Sequence, residues 1–268
     1  MIDRLRALEQ KLASGMGSTE SRMLWFIVKW AKASTHPIFG SLLRRLLNSL
    51  TEYWGAMVVP IDKSVDSDTR ILPFEVASSL IRSAEIASVI PCYCRNEFRR
   101  CDAPRDTCII LGSREQVQAI DELTEVTSGS RVVPQKALEV LEKANRHGLV
   151  HHLIYFSYPP GKNAYVICSC CDCCCVIMAM CNRYGINISR KSGFVAVADA
   201  IKCNACGTCM KRCKFGARFW LNGKASVNEE RCHGCGLCVT TCTSKATRLQ
   251  RHPTEELHRY AMQVLQKT

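Results

Sequence analysis

Two stretches near the C-terminal end, residues 201–213 (IKCNACGTCMKRC) and 230–242 (ERCHGCGLCVTTC), repeat one cysteine spacing, C-x-x-C-x-x-C-x-x-x-C. Spacers of two residues let three thiolates of one tight loop reach three corners of a 4Fe-4S cube, and Gly207 and Gly236 permit close approach of the backbone. Zinc sites normally separate two cysteine pairs instead. The repeat therefore indicates iron–sulfur binding, and the fourth ligand of each cube has to come from elsewhere.

The repeat and its flanks resemble the bacterial two-cluster ferredoxins over residues 193–250, with Asn222-Gly223 as the expected hairpin turn between two strands. In that family the fourth cysteine of each run ligates the other cluster. The family usually has proline after that cysteine, where this chain has Lys214 and Thr243, so no ligand is lost. The resemblance implies two 4Fe-4S clusters with crossed ligands. One set is Cys203, Cys206, Cys209 and Cys242, and the other is Cys232, Cys235, Cys238 and Cys213.

Eleven of the 19 cysteines lie upstream, in the runs PCYCRNEFRRCDAPRDTC (91–108) and CSCCDCCC (168–175) and at Cys181. Arginines lie between the cysteines of the first run. Their positive charge lowers thiol pKa values and offsets the negative charge of a cluster. A structural zinc site, free thiols, buried apolar cysteines and a redox disulfide are the alternative interpretations. Eleven are too many for inert core positions, and one zinc ion uses only four. We therefore expect at least one further iron–sulfur centre, with candidate ligands Cys92, Cys94, Cys101, Cys108, Cys168, Cys170, Cys171, Cys173, Cys174 and Cys175.

A wider resemblance rests on three motifs ahead of the repeat: CYCR at 92–95, GLVH at 148–151 and CSCCDCCC at 168–175. The same order is found in a group of uncharacterised iron–sulfur proteins that are frequent in anaerobes, and the likeness covers about residues 57–250. It implies a cysteine-rich domain ahead of a two-cluster ferredoxin, and electron transfer. It implies no particular reaction.

Hydrophobic periodicity, taken together with the cysteine runs and with what the resemblance to two-cluster ferredoxins implies, leads us to expect an α+β fold in four parts. These are an amphipathic helical segment (1–56), a cysteine-rich α/β domain (57–192), the ferredoxin-like two-cluster domain (193–250) and a C-terminal helix (251–268). Within the second part we expect a strand at 57–61, a helix from Pro73 through Ile86 that delivers Cys92, a helix at 133–149 with Gly148 as its C-cap, and a hairpin of strands 153–158 and 164–168. The strands 194–198 and 218–221 are expected in the ferredoxin-like part.

The opening residues MIDRLRALEQ lack the apolar core of a secretory signal, and the apolar stretch Met23–Val28 is shorter than the roughly 20 residues of a membrane span. We therefore expect a cytoplasmic protein without a transmembrane segment, in a reducing compartment where thiolates bind metals. Aromatic residues in the first 56 positions allow peripheral membrane contact of those helices. The net charge of +12 favours an acidic redox partner protein over nucleic acid, because bound clusters add negative charge.

The sequence thus predicts an electron carrier or a subunit of an oxidoreductase complex, passing electrons between the ferredoxin-type pair of clusters and the additional centre. Two alternatives remain open: a reductase whose additional cluster binds substrate directly, and a protein of metal or cluster storage or delivery. Dinucleotide, P-loop, nucleophile-elbow and zinc-protease signatures are absent from the sequence. His151, His152 and His233 could be metal ligands, but a lone histidine in a polar loop is more often solvated, and we expect them to be solvated.

Overall fold

The computed structural model describes residues 29, 33, 40–41, 56–59, 73–157, 163–186 and 189–251. The predicted N-terminal helical segment lies almost entirely outside these residues, as do the tip of the predicted hairpin and the C-terminal helix. The described residues mix helices and strands, which is compatible with the α+β expectation. None of the described helices is long and apolar enough to cross a membrane.

Seven strands form one sheet in the order β4-β2-β3-β6-β5-β1-β7. Neighbouring strands are antiparallel except for the short parallel pair of β1 and β7. The β5–β6 hairpin was expected, and its strands run further than predicted. The strands are β1 (Ala56–Val59), β2 (Ile86–Pro91), β3 (Asp106–Gly112), β4 (Ser130–Val132), β5 (Val150–Ser157), β6 (Asn163–Cys170) and β7 (Ser189–Arg190).

Helices cover both faces of this sheet. Successive side chains of the interior strand β3 point to opposite faces, and those on both faces are buried in apolar clusters. Ile109 and Leu111 pack with the apolar sides of the helices Pro73–Ser83 and Pro134–Arg146, whereas Cys108 and Ile110 lie in a second cluster with Ile120 of the helix Val117–Val126. Cys108 therefore sits inside the second apolar layer. The helices are α1 (Pro73–Ser83), α2 (Tyr93–Phe98), α3 (Val117–Val126), α4 (Pro134–Arg146) and α5 (Val176–Tyr184).

One predicted boundary is wrong in a way that matters for the site. The helix from Pro73 ends at Ser83, and Ile86 opens strand β2 instead of continuing the helix. Strand β2 thus delivers Cys92. Pairing with β3 and β4 buries the start of this β-branched segment on both sides, and such burial outweighs the helical spacing of its apolar residues. The helix predicted at 133–149 spans Pro134–Arg146, with proline in its first turn and Gly148 at a φ of +76° beyond its end.

The ferredoxin-like repeat forms two small two-stranded sheets. In each copy of the repeat, a short helix follows the cysteine loop. Both predicted strands, 194–198 and 218–221, are confirmed, and Asn222-Gly223 makes the turn with φ values of +49° and +73°. Strand β8 pairs with β11, and β9 pairs with β10. The elements are β8 (Phe194–Ala198), α6 (Thr208–Arg212), β9 (Arg218–Leu221), β10 (Lys224–Val227), α7 (Leu237–Thr240) and β11 (Thr247–Arg251).

Candidate iron–sulfur and metal centres

The outer ferredoxin set is defined here as Cys203, Cys206, Cys209 and Cys242. All four line a single cavity, and Cys203, Cys209 and Cys242 also pack around one small apolar cluster. Cys206 is exposed. Gly207, at a φ of +75°, turns the chain from the cysteine loop into α6, a backbone angle that glycine adopts without strain. The fourth cysteine of the second run thus lies with the first three cysteines of the first run.

The inner ferredoxin set is defined as Cys213, Cys232, Cys235 and Cys238. Burial and then the charge of Cys238 raise the pKa of Cys235, and burial raises the pKa of Cys238 to about 11. Arg218, itself 8% exposed, donates a hydrogen bond from Nη2 to Cys238 Sγ at 3.0 Å. Buried thiols that oppose one another's ionisation stay protonated unless a cation lies between them. The cationic core of an iron–sulfur cluster is a cation of this kind.

Backbone amides donate to the sulfurs of both sets in a matching pattern. Ala217 N lies 3.2 Å from Cys213 Sγ, and Ala246 N lies 3.2 Å from Cys242 Sγ. Each donor is four residues after the last cysteine of its run. The two copies of the repeat therefore share this hydrogen bond as well as their cysteine spacing. Such bonds help to set the reduction potential of a cluster. The turns after these cysteines therefore keep a ligand-stabilising geometry with Lys214 and Thr243 in place of proline.

The ten upstream candidates come together in two groups. Each group draws cysteines from both upstream runs. The four-thiol group is Cys101, Cys171, Cys173 and Cys174, whose sulfurs all lie within 4.8 Å of one another. The six-thiol group is Cys92, Cys94, Cys108, Cys168, Cys170 and Cys175, of which four are buried and two half-buried.

Five different elements supply the six-thiol group. Cys92 follows β2, Cys94 lies in α2, Cys108 lies on β3, Cys175 caps the N-terminus of α5, and β6 supplies the other two. Hydrogen bonding with Cys108 and then burial raise the pKa of Cys92. In the same way, hydrogen bonding with Cys175 and then burial raise the pKa of Cys94. The thiols thus form contacting pairs that cannot all ionise without a bound cation.

Arg95, on α2, lies between the two groups and is only 1% exposed. It donates hydrogen bonds to Ser169 O at 2.6 Å and to Thr107 Oγ1. Within the described part of the chain no carboxylate forms an ion pair with it. Burial lowers the pKa of this arginine, but the charges of Cys92 and other thiols outweigh burial and raise it. A buried cation needs a nearby negative charge, which thiolates around metal centres supply.

The expectation that His151 and His152 are solvated is wrong. Both imidazoles are buried in β5, where His151 Nδ1 lies 3.0 Å from Ser169 Oγ and His152 Nε2 lies 3.0 Å from Ser189 Oγ. Burial lowers the pKa of each to about 3. His233 is half-buried and stacks on Phe215 with ring centroids 4.0 Å apart. These three histidines therefore lie within packed protein.

An apolar layer joins the six-thiol group to the inner ferredoxin set. Val150, Met178, Phe215 and Leu237 form one buried cluster that also contains Cys170 and Cys175. Cys213 and Cys235 of the inner set pack against the same cluster. Contacts at the rim fix this arrangement: Arg212 Nη1 donates to Arg146 O at 3.1 Å, and Lys214 Nζ lies 3.1 Å from Asp172 Oδ1. No sequence signal indicated that these cysteines would share a layer.

The loop geometry, the amide donors and the repeated spacing define an iron–sulfur, ferredoxin-like domain. Residues 195–243 match a family model described as a 4Fe-4S dicluster domain. A search among curated proteins gives no match. The 4Fe-4S domain and the upstream cysteine groups together indicate an iron–sulfur protein of electron transfer.

Proposed function

We propose that the protein carries electrons along three iron–sulfur centres in a row. The outer and inner ferredoxin sets hold one 4Fe-4S cluster each, with the crossed ligands given above. The six-thiol group holds the additional centre. The proposed order of the three centres rests on the apolar layer in which Cys170 and Cys175 pack together with Cys213 and Cys235.

The outer cluster is the entry or exit point for a redox partner. Cys206 is exposed, the half-exposed ring of Trp220 lies next to Gly207, and Ile201, two residues before Cys203, is 96% exposed. Lys202 is exposed on this face and forms an ion pair with Asp199 at 3.8 Å. Exposed apolar residues rimmed by charge are typical of docking surfaces. The net charge of +12 favours an acidic partner protein for this face.

The described residues favour a carrier over the two alternatives. Four of the six thiols are buried, which suits electron relay and restricts the approach of a substrate. A cavity between β2 and α4 is lined by residues such as Pro91, Asp106 and Lys143 and by none of the cysteines. Neither substrate reduction at the additional centre nor cluster storage gains support from these features.

Rapid-freeze paramagnetic resonance of the anaerobically purified full chain tests the order of centres. We expect iron in excess of two cubes, and reduction of the six-thiol centre at a rate independent of protein concentration. Cys235→Ser should slow that reduction at least tenfold by removing the inner cluster, whereas Cys181→Ser, outside every set, should leave it unchanged. Circular dichroism checks that both variants keep the fold. An unchanged rate in Cys235→Ser would contradict the proposed route.

A further inference from the structure

The four-thiol group is more compact than any other set of cysteines in the described part of the chain. Cys101 Sγ lies 3.8 Å from Cys171 Sγ and 3.9 Å from Cys174 Sγ. Cys173 Sγ lies 3.8 Å from Cys174 Sγ. All four sulfurs fall within 4.8 Å of one another. These separations bear on how many metal ions fit among them.

A single tetrahedral ion accounts for such distances. With zinc–sulfur bonds of about 2.3 Å, tetrahedral geometry places neighbouring sulfurs about 3.8 Å apart. In a 4Fe-4S cube each thiolate binds a different iron, so an iron–iron edge separates every pair of ligands and the sulfurs lie further apart. The four-thiol group has the dimensions of the first arrangement.

The ferredoxin sets provide an internal comparison. Their eight cysteines follow a spacing typical of cubes, and within the described residues no three of them have all their sulfurs within 4.8 Å of one another. The hydrogen bonds of these sulfurs go to backbone amides, hydroxyls and Arg218, and none joins two of the eight. The eight ferredoxin cysteines are therefore more widely spaced than the four sulfurs of the compact site.

We propose that Cys101, Cys171, Cys173 and Cys174 hold one zinc ion, separate from the iron–sulfur centres. Four thiolates complete the tetrahedral shell of zinc, which has no redox chemistry, so the site is structural. Four thiolates around a dication leave a net charge of −2. Arg95 provides a buried positive charge beside Cys171, and Arg100 N donates to Cys174 Sγ at 3.3 Å.

The position of the site gives zinc a definite role. Cys101 follows α2, while the other three ligands lie on the turn between β6 and α5, 70 residues further along for Cys171. That turn begins and ends with Cys170 and Cys175, both of the six-thiol group. A zinc ion would clamp the turn to the loop after α2, and closing a long loop stabilises the folded state. Zinc thereby positions two ligands of the additional redox centre.

The test is metal analysis of the anaerobically purified full chain, washed with chelator. We expect one zinc per chain, with X-ray absorption showing four sulfurs at about 2.3 Å. Cys101→Ser should lower zinc at least tenfold while the ferredoxin clusters keep their resonance signals. Cys206→Ser, the matched control, should lower iron and leave zinc unchanged.

Several outcomes would overturn the proposal. They are wild-type protein without zinc, zinc removed by the chelator wash, or iron bound by these four sulfurs. If Cys101→Ser does not fold, the zinc count and the absorption spectrum of the wild type still decide the question. Both readouts are independent of electron transfer, so failure of the zinc site and failure of the proposed relay are distinguishable.

Discussion

Arg218 Nη2 donates a hydrogen bond to Cys238 Sγ at 3.0 Å, and the guanidinium is buried beside the inner ferredoxin set. Arg95 occupies a corresponding place among the upstream thiols, buried and without a carboxylate partner in the described residues. Each arginine places a fixed positive charge beside sulfurs that oppose one another's ionisation. In both parts of the chain a buried arginine thus lies where it can stabilise negative charge on neighbouring sulfurs, although only one of the two parts follows a ferredoxin spacing.

Removing the Arg218 charge should make the inner cluster harder to reduce. The reduced cluster carries one more negative charge than the oxidised one, so it loses more stabilisation in Arg218→Gln. We expect its potential to fall by on the order of 60 mV, the value for a tenfold change in a one-electron equilibrium. Arg248→Gln, at an exposed arginine, is the control. A redox titration in which both variants match wild type would contradict this role.

The crossed ligand sets predict that Cys242→Ser changes the outer cluster, because Cys242 lines the same cavity as Cys203, Cys206 and Cys209. Paramagnetic resonance of the reduced protein should show an altered outer signal and a retained inner signal. Cys213→Ser should give the reverse result. If Cys242→Ser altered only the inner signal, the crossed assignment would be wrong.

Gly234 and Gly223 provide a matched pair for backbone sterics, with φ values of +67° and +73°. A Cβ at Gly234 would overlap the carbonyl group of Phe194, whereas a Cβ at Gly223 meets nothing within 4 Å. Gly223→Ala should cost about 1 kcal/mol of unfolding free energy from the left-handed backbone alone. Gly234→Ala should also displace the loop of the inner set and lose its cluster. Denaturation and iron analysis of both variants measure this difference.

Acid should destabilise the protein through the buried histidine pair. Burial lowers the pKa of His151 and of His152 to about 3, while an exposed histidine titrates near 6.5. Below pH 6.5 the unfolded chain therefore binds protons that the folded chain does not, and stability falls as the pH drops toward 3. Each histidine contributes at most about 1.4 kcal/mol per pH unit.

His152→Gln should flatten this dependence, since glutamine does not titrate. His147→Gln, at an exposed histidine after α4, is the control and should keep the wild-type slope. Urea denaturation at several pH values between 6.5 and 4 measures both. Equal slopes in His152→Gln and wild type would show that the buried histidine pair does not cause the loss of stability in acid.

Prediction from sequence succeeded where the structure is local. The spacing of the repeat places three cysteines on one short loop, and Asn222-Gly223 and the strands that flank it follow from their own residues. Prediction failed at Ile86, whose helical spacing was overridden by pairing of β2 with β3 and β4. It also failed at His151 and His152, because the sequence does not show that β5 lies between β1 and β6.

The sequence by itself determined the cysteine inventory, the ferredoxin-like loops and the iron–sulfur chemistry, because short spacers bring sulfurs together through the local backbone. Only the tertiary structure decided how the ten upstream cysteines divide. Cys170 and Cys171 are adjacent in the chain yet belong to different groups, as do Cys174 and Cys175. Cys170 ends strand β6, where adjacent side chains leave the backbone in opposite directions, and Cys174 and Cys175 lie where the following turn enters α5. Each side chain then meets partners brought by distant elements. Long-range strand pairing and helix packing, which no local spacing encodes, set that division.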